Sequence, residues 1–125
     1  MSVVIIMGSE VDRPHADKMI KELRDVNLEI HVASAHKTPK KVLEIIHAHP
    51  QGKVVFITIA GRSNALSGFV AGNTTYPVLA CPPFADKMDM MVNIHSTLQM
   101  PSKVPAMTVL DPVNCAIAAK RILQL

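Results

Sequence analysis

The sequence predicts an α/β fold, a five-stranded parallel sheet with helices on both faces. Short apolar runs alternate with helical patterns along the whole chain. The first run, Val3–Met7, is apolar throughout, as a strand buried on both faces is. No repeat, low-complexity segment or linker interrupts the 125 residues. One domain over 1–125 is therefore expected.

The elements follow in order. After the strand Val3–Met7, Asp12 stands before Pro14, which matches an N-cap with proline in the first turn. Ala16, Met19, Ile20 and Leu23 share one helical face. Leu28–Ala33 is the second strand. Pro39 opens a second helix, with Val42, Leu43 and Ile46 facing inward. Val54–Ala60 is the third strand. Asn64–Gly72 is a short helix, with Gly72 and Asn73 as C-cap residues. Tyr76–Cys81 is the fourth strand, stopped by Pro82 and Pro83. Lys87–Leu98 is helical and Ala106–Leu110 is the fifth strand. Asp111 and Pro112 start a last helix that ends near Leu125. Five strands in this alternation suit the flavodoxin-like order 2-1-3-4-5, a three-layer α/β/α sandwich.

Composition narrows the function. Apolar residues make up 49%, enough for a core, and charged residues 18%. The charged share is below the usual ~25%, which predicts a surface partly covered by partner subunits. Net charge is +3, with one Tyr, three Phe and no Trp. Lys37, Lys40 and Lys41 form the nearest thing to a basic run. A nucleic-acid binder would show a basic stripe or aromatic platforms, so none is expected as a partner. A small anionic ligand suits the charge. Two cysteines, Cys81 and Cys115, are too few for a disulfide scaffold and suit a reducing cytoplasm. No apolar run approaches the ~18 residues of a membrane span, and the N-terminus lacks signal-peptide features.

The polar residues cluster at the carboxyl ends of strands. The first strand runs into Gly8-Ser9-Glu10-Val11-Asp12. The second runs into Ser34-Ala35-His36-Lys37-Thr38-Pro39, and the third into Gly61-Arg62-Ser63-Asn64. In the order 2-1-3-4-5 these strands are neighbours, so their loops meet at the topological switch point, where open α/β sheets bind ligands. His36 is the natural general acid/base there. Lys37 and Arg62 can hold a phosphate or carboxylate. Ser9 and Asp12 open the first helix, where backbone N–H groups hold anions. Asp12 also suits a sugar hydroxyl or ring amine. Neither a GxGxxG nor a Walker loop is present, which argues against a dinucleotide or ATP.

Each residue also has a structural reading. Asp12 and Asn64 can be helix caps, Ser9 a turn residue, Ser34 and Thr38 caps of the second helix, and Arg62 a surface ion-pair partner. His15, in the first turn of the first helix, can approach the crevice. His31, His47, His49 and His95 read as structural. No His or Cys pair has metal-ligand spacing. The Met88–Met91 cluster reads as core or subunit contact.

Together these loops resemble the phosphoribosylaminoimidazole carboxylase family. Met7-Gly8-Ser9, Ser34–Pro39 and Ala60–Leu66 carry the resemblance. So do Gly72-Asn73-Thr74-Thr75-Tyr76-Pro77-Val78, Cys81-Pro82-Pro83 and Ser96-Thr97-Leu98-Gln99-Met100-Pro101. It covers nearly the whole chain. The family's mutase class typically has Arg in place of Lys37 and a Gly-Gly-Ala-Ala-His-Leu-Pro-Gly third loop. The class that uses CO2 directly has Gly-Arg-Ser-Asn, as at Gly61–Asn64, and the chain resembles that class.

The resemblance implies roles. His36 matches the histidine that moves the proton at C4 of the imidazole. Ser9 and Asp12 match first-loop contacts to the nucleotide, Asp12 on ribose hydroxyls. Ser34, Ala35 and Lys37 match second-loop substrate contacts. Gly61, Arg62, Ser63 and Asn64 match the third loop around phosphate and CO2. Cys81, Pro82 and Pro83 match a loop closing over the site. The implied activity is reversible carboxylation of aminoimidazole ribonucleotide by CO2, a carbon–carbon lyase reaction of purine biosynthesis. It needs no metal and no organic cofactor, and it runs in a homo-octamer in the cytoplasm. Two features depart from the pattern. Val11 replaces a usual first-loop serine, removing one hydroxyl contact. Family members usually continue past the last sheet helix with an arm that docks on a neighbouring subunit, whereas this sequence ends at Leu125. The alternatives are the mutase, a non-catalytic nucleotide-binding module of the same fold, and a flavin carrier. The last is disfavoured by the single Tyr76 and the absence of Trp.

Overall fold

The chain alternates strand and helix from end to end. This computed structural model describes residues 1–125. The elements are β1 (Ser2–Met7), α1 (Arg13–Ile20), β2 (Asn27–Val32), α2 (Pro39–His47), β3 (Val54–Ile59), α3 (Leu66–Gly72), β4 (Val78–Ala80), α4 (Lys87–Asn93), α5 (His95–Leu98), β5 (Met107–Thr108) and α6 (Pro112–Leu123). Single 3₁₀ turns at Glu10–Asp12 and Lys21–Leu23 flank α1.

The sheet is parallel throughout, in the order β2-β1-β3-β4-β5. This is the order expected from the sequence. Every residue of β1 and β3 is buried, because helices cover both faces. Val3, Ile5 and Met7 join Val55, Ile57 and Ile59 against Ala16, Met19, Leu23, Cys115, Ala116, Ala119 and Leu123. Val4, Ile6, Val54 and Phe56 face the other way, onto Val42, Ile45, Ile46, Leu66 and Val70. Each such aliphatic side chain, fully buried, contributes about 1.5–3 kcal/mol. The two central strands are therefore the firmest part of the molecule.

Several boundaries differ from the sequence reading, each for a local reason. Ile45, not Leu43, joins Val42 and Ile46 in the core, while Leu43 is half-buried. The spacing 42, 45, 46 is the narrower i, i+3, i+4 stripe. β4 spans only three residues, though its ladder continues through Phe56 N–H to Pro77 O and Cys81 N–H to Thr58 O. β5 is two residues long, an edge strand preceded by Pro105, which has no N–H to offer. The helix expected over 87–98 breaks into α4 and α5 at Ile94.

The register positions the site. Met7 lies level with Val32 on one side and Ile59 on the other. Ala33 N–H donates to Met7 O, and Gly8 N–H to Ile59 O. The three loops after β1, β2 and β3 therefore leave the sheet side by side.

Candidate active site

The three loops enclose a cleft of about 410 Å³ at the carboxyl edge of the sheet. Ser9, Asp12, Ser34, Ala35, His36, Lys37, Gly61, Arg62 and Ser63 all line it. Asn64 does not. The sequence reading did not single out Ala60, Ala65 and Leu66 as walls. Their apolar side chains carry no chemical signal, and adjacency to the polar loops was the available clue.

The first loop turns on Ser9. Its Oγ accepts from Val11 N–H at 3.4 Å and caps the 3₁₀ turn. Asp12 precedes α1 yet makes no capping hydrogen bond, so the cap expected of it is not made. Its carboxylate is left for the cleft. Burial pushes the Asp12 carboxyl above its ordinary value, and the nearby Ser9 N–H only partly offsets this. Val11 stands 80% exposed beside Asp12, apolar at the mouth of the cleft.

The second loop is a self-closed turn. Ser34 Oγ accepts from Lys37 N–H at 3.1 Å, and Thr38 Oγ1 accepts from Ser34 N–H at 2.8 Å. Neither hydroxyl caps α2, whose N-cap Thr38 makes no such bond. The caps expected of Ser34 and Thr38 thus serve the loop instead. His36 and Lys37 are carried on its crest, both exposed. Arg13, also nearby in sequence, is occupied by a bidentate pair with Glu10 at 2.8 and 3.0 Å. Lys37 and Arg62 are therefore the cations lining the cleft.

The third loop is the strained one. Arg62 has φ +56°, the left-handed region that favours glycine. Asn64 is 2% exposed and its side chain is fully engaged inside the protein. Its Oδ1 accepts from Leu66 and Ser67 N–H at 3.1 and 3.3 Å, and its Nδ2 donates to Thr97 Oγ1 at 3.1 Å. Asn64 thus caps α3 and ties the loop to α5. The Pro83 carbonyl stands 3.3 Å from where a Cβ on Gly61 would sit, so the loop after β4 closes tightly on the third loop.

The remaining histidines lie outside the cleft lining. His15 Nε2 sits 3.5 Å from Cys81 Sγ, and His49 packs edge-on against Tyr76 and bonds Pro50 O. The neighbouring Cys115 thiol, then burial, push the Cys81 thiol above its ordinary value. No group of three or more His, Cys, Asp or Glu is placed to hold a metal ion. No helix is long and apolar enough to cross a membrane.

Comparison with known proteins places the whole chain in one family. A family model described as AIR carboxylase matches residues 2–125. The chain is 49% identical to the phosphoribosylaminoimidazole carboxylase of Archaeoglobus fulgidus, covering 100% of this chain and 70% of that one. It is 42% identical to the Treponema denticola protein of the same name, covering 98% and 79%. The crystal structure of Treponema denticola PurE superposes with a TM-score of 0.91 at 41% identity, covering 98% of this chain and 80% of that chain. With a match over all but its first residue, and a cleft built by the same three loops that carry the sequence resemblance, the chain belongs to the AIR carboxylase family.

Proposed function

We propose that the cleft carboxylates aminoimidazole ribonucleotide with CO2 directly, and reversibly, with His36 as the general acid/base. Carboxylation of this nucleotide in purine biosynthesis comes with the family; the CO2 route, the direction and the residue roles are our reading. The observation that carries it is the convergence of His36, Lys37, Arg62 and Asp12 on one cleft.

The 5-amino group makes C4 of the imidazole enamine-like. Its electron pair attacks CO2 and forms the C4–carboxylate bond. The C4–H bond then breaks, its electrons restore the aromatic ring, and the proton passes to the His36 imidazole. The reverse reaction returns that proton to C4 and releases CO2. CO2 offers almost no binding energy, so the nucleotide must supply the positioning. In this reading Lys37 and Arg62 hold the phosphate and the nascent carboxylate, and Asp12 holds ribose hydroxyls. Ser9, Ser34, Ser63 and the backbone at Ala35 and Gly61 complete the contacts. Asn64 acts from beneath, through the loop. Ala60, Ala65 and Leu66 give an apolar wall suited to CO2.

Lys37 with Arg62-Ser63-Asn64 favours this reading over the mutase. We read the chain as a single domain working in a homo-oligomer. Met88, Met91 and Val92 on α4 are 67%, 63% and 66% exposed, an apolar row that suits a second subunit. Free thiols at Cys81 and Cys115 suit the cytoplasm.

The test is an ultraviolet assay of decarboxylation of carboxyaminoimidazole ribonucleotide, and of the reverse reaction with dissolved CO2. Wild type should turn over in both directions, and His36→Asn should lose about 10²–10⁴-fold. A folded wild-type protein that binds nucleotide without turnover would establish the non-catalytic module instead.

A further inference from the structure

The segment Ser96–Pro101 lies outside the three site loops, yet two of its side chains end on the third loop. Ser96 Oγ donates to Arg62 O at 2.9 Å and accepts from Asn64 N–H at 2.9 Å. One hydroxyl therefore spans the turn that contains the left-handed residue. Its single proton is shared with Asn93 O at 3.1 Å, which fixes the hydroxyl to the end of α4. Thr97, 1% exposed, receives Asn64 Nδ2 from the next position. Gly68 on α3 lets this segment seat: a Cβ there would meet Met100 Sδ at 2.9 Å.

A left-handed backbone disfavours any residue with a Cβ by about tenfold or more. Glycine would adopt it without help, but glycine has no guanidinium to place in the cleft. Arginine at this position needs an external brace on its own carbonyl and on the N–H beyond it. Ser96 supplies both contacts.

We propose that Ser96, seconded by Thr97, is a positioning residue for substrate binding, holding Arg62 in the conformation that presents its side chain to an anionic group of the nucleotide. This rests on the reading of Arg62 as an anion-binding residue. Ser96 acts through Arg62 and does not line the cleft.

The experiment is a double-mutant cycle on the full chain, with Ser96→Ala, Arg62→Ala and the double variant. KM for aminoimidazole ribonucleotide and kcat are read separately, and thermal unfolding is followed alongside. Ser96→Ala is expected to raise KM about tenfold while changing kcat less than about threefold. Arg62→Ala should raise KM at least as much. The double variant should match Arg62→Ala alone, because a brace has no effect once its load is gone. Ser96→Thr, which keeps the hydroxyl, should restore most of the affinity. Thr97→Val gives the same reading in smaller measure should Ser96→Ala fold poorly. Effects that multiply in the double variant, with Arg62→Ala impaired alone, overturn the brace and leave Arg62's role standing. An Arg62→Ala protein with unchanged KM overturns the anion role and the brace together.

Discussion

Replacing Asn64 with alanine separates the two jobs this residue could do. Its amide makes three internal hydrogen bonds, to Leu66 N–H, Ser67 N–H and Thr97 Oγ1, at a position 2% exposed. A typical hydrogen bond contributes about 0.5–1.5 kcal/mol net, and losing one side leaves buried partners unpaired. Two of the three also cap α3, where alanine in place of asparagine costs about 1 kcal/mol. The sum is about 3 kcal/mol, or about 10–15 °C in Tm for a chain of this size. Asn64→Ser should recover about 1 kcal/mol of that, since serine still caps but does not reach Thr97. Urea unfolding followed by far-ultraviolet circular dichroism, at matched protein concentration, measures both variants. A loss below about 1 kcal/mol in Asn64→Ala, with a steep rise in KM, would mean that the amide turns to the substrate and is not a strut.

Asp12→Asn should raise the urea midpoint at neutral pH while lowering activity. Burial raises the folded-state pKa of Asp12 above its ordinary 3.8, so its stabilising contribution is present below 3.8 and lost as pH rises through the raised value. The advantage of the variant should therefore vanish near pH 3.5, and a variant no more stable at pH 7 would refute the account. His15 has the opposite sign: burial first, then Lys18, lower its pKa from 6.5, with Cys81 and Asp111 pulling the other way. Its contribution is present above 6.5 and lost as pH falls through the lowered value, so the Tm of wild type should drop more than that of His15→Gln as pH is taken below 6.5. At Arg62, with φ +56°, Arg62→Gly should be about 1 kcal/mol more stable than Arg62→Ala by thermal unfolding, and equal stabilities would show that the turn relaxes.

The sheet and its loops were legible because the strand ends carry the punctuation. Val3–Met7 and Val54–Ala60 read as buried strands from their apolar runs, and the polar clusters after them marked the crevice. Asp12 looked like a cap because its position before Pro14 satisfies the local rule. The structure instead places the side-chain cap on the preceding 3₁₀ turn, from Ser9 three residues earlier, and leaves the acid without a capping bond. Asn64 had two readings, a third-loop ligand and a helix cap, and the structure makes it the cap. Its commitment to Thr97 joins positions 33 apart, which no local pattern announces. The same distance hid Ser96. A serine on a short helix carries no periodic signal, and its partner's positive φ exists only in three dimensions.

α4 buries none of its residues, and α5 buries only Thr97. Local stability follows buried contact, so this helix pair should open at a free energy well below that of global unfolding, with its amides exchanging faster than those of β1 and β3. Each such opening withdraws Ser96 from Arg62 and Thr97 from Asn64. In the isolated chain the cationic arm of the cleft would hold its working shape only while this helix pair stays closed, and a second subunit seated on Met88, Met91 and Val92 would hold the pair shut.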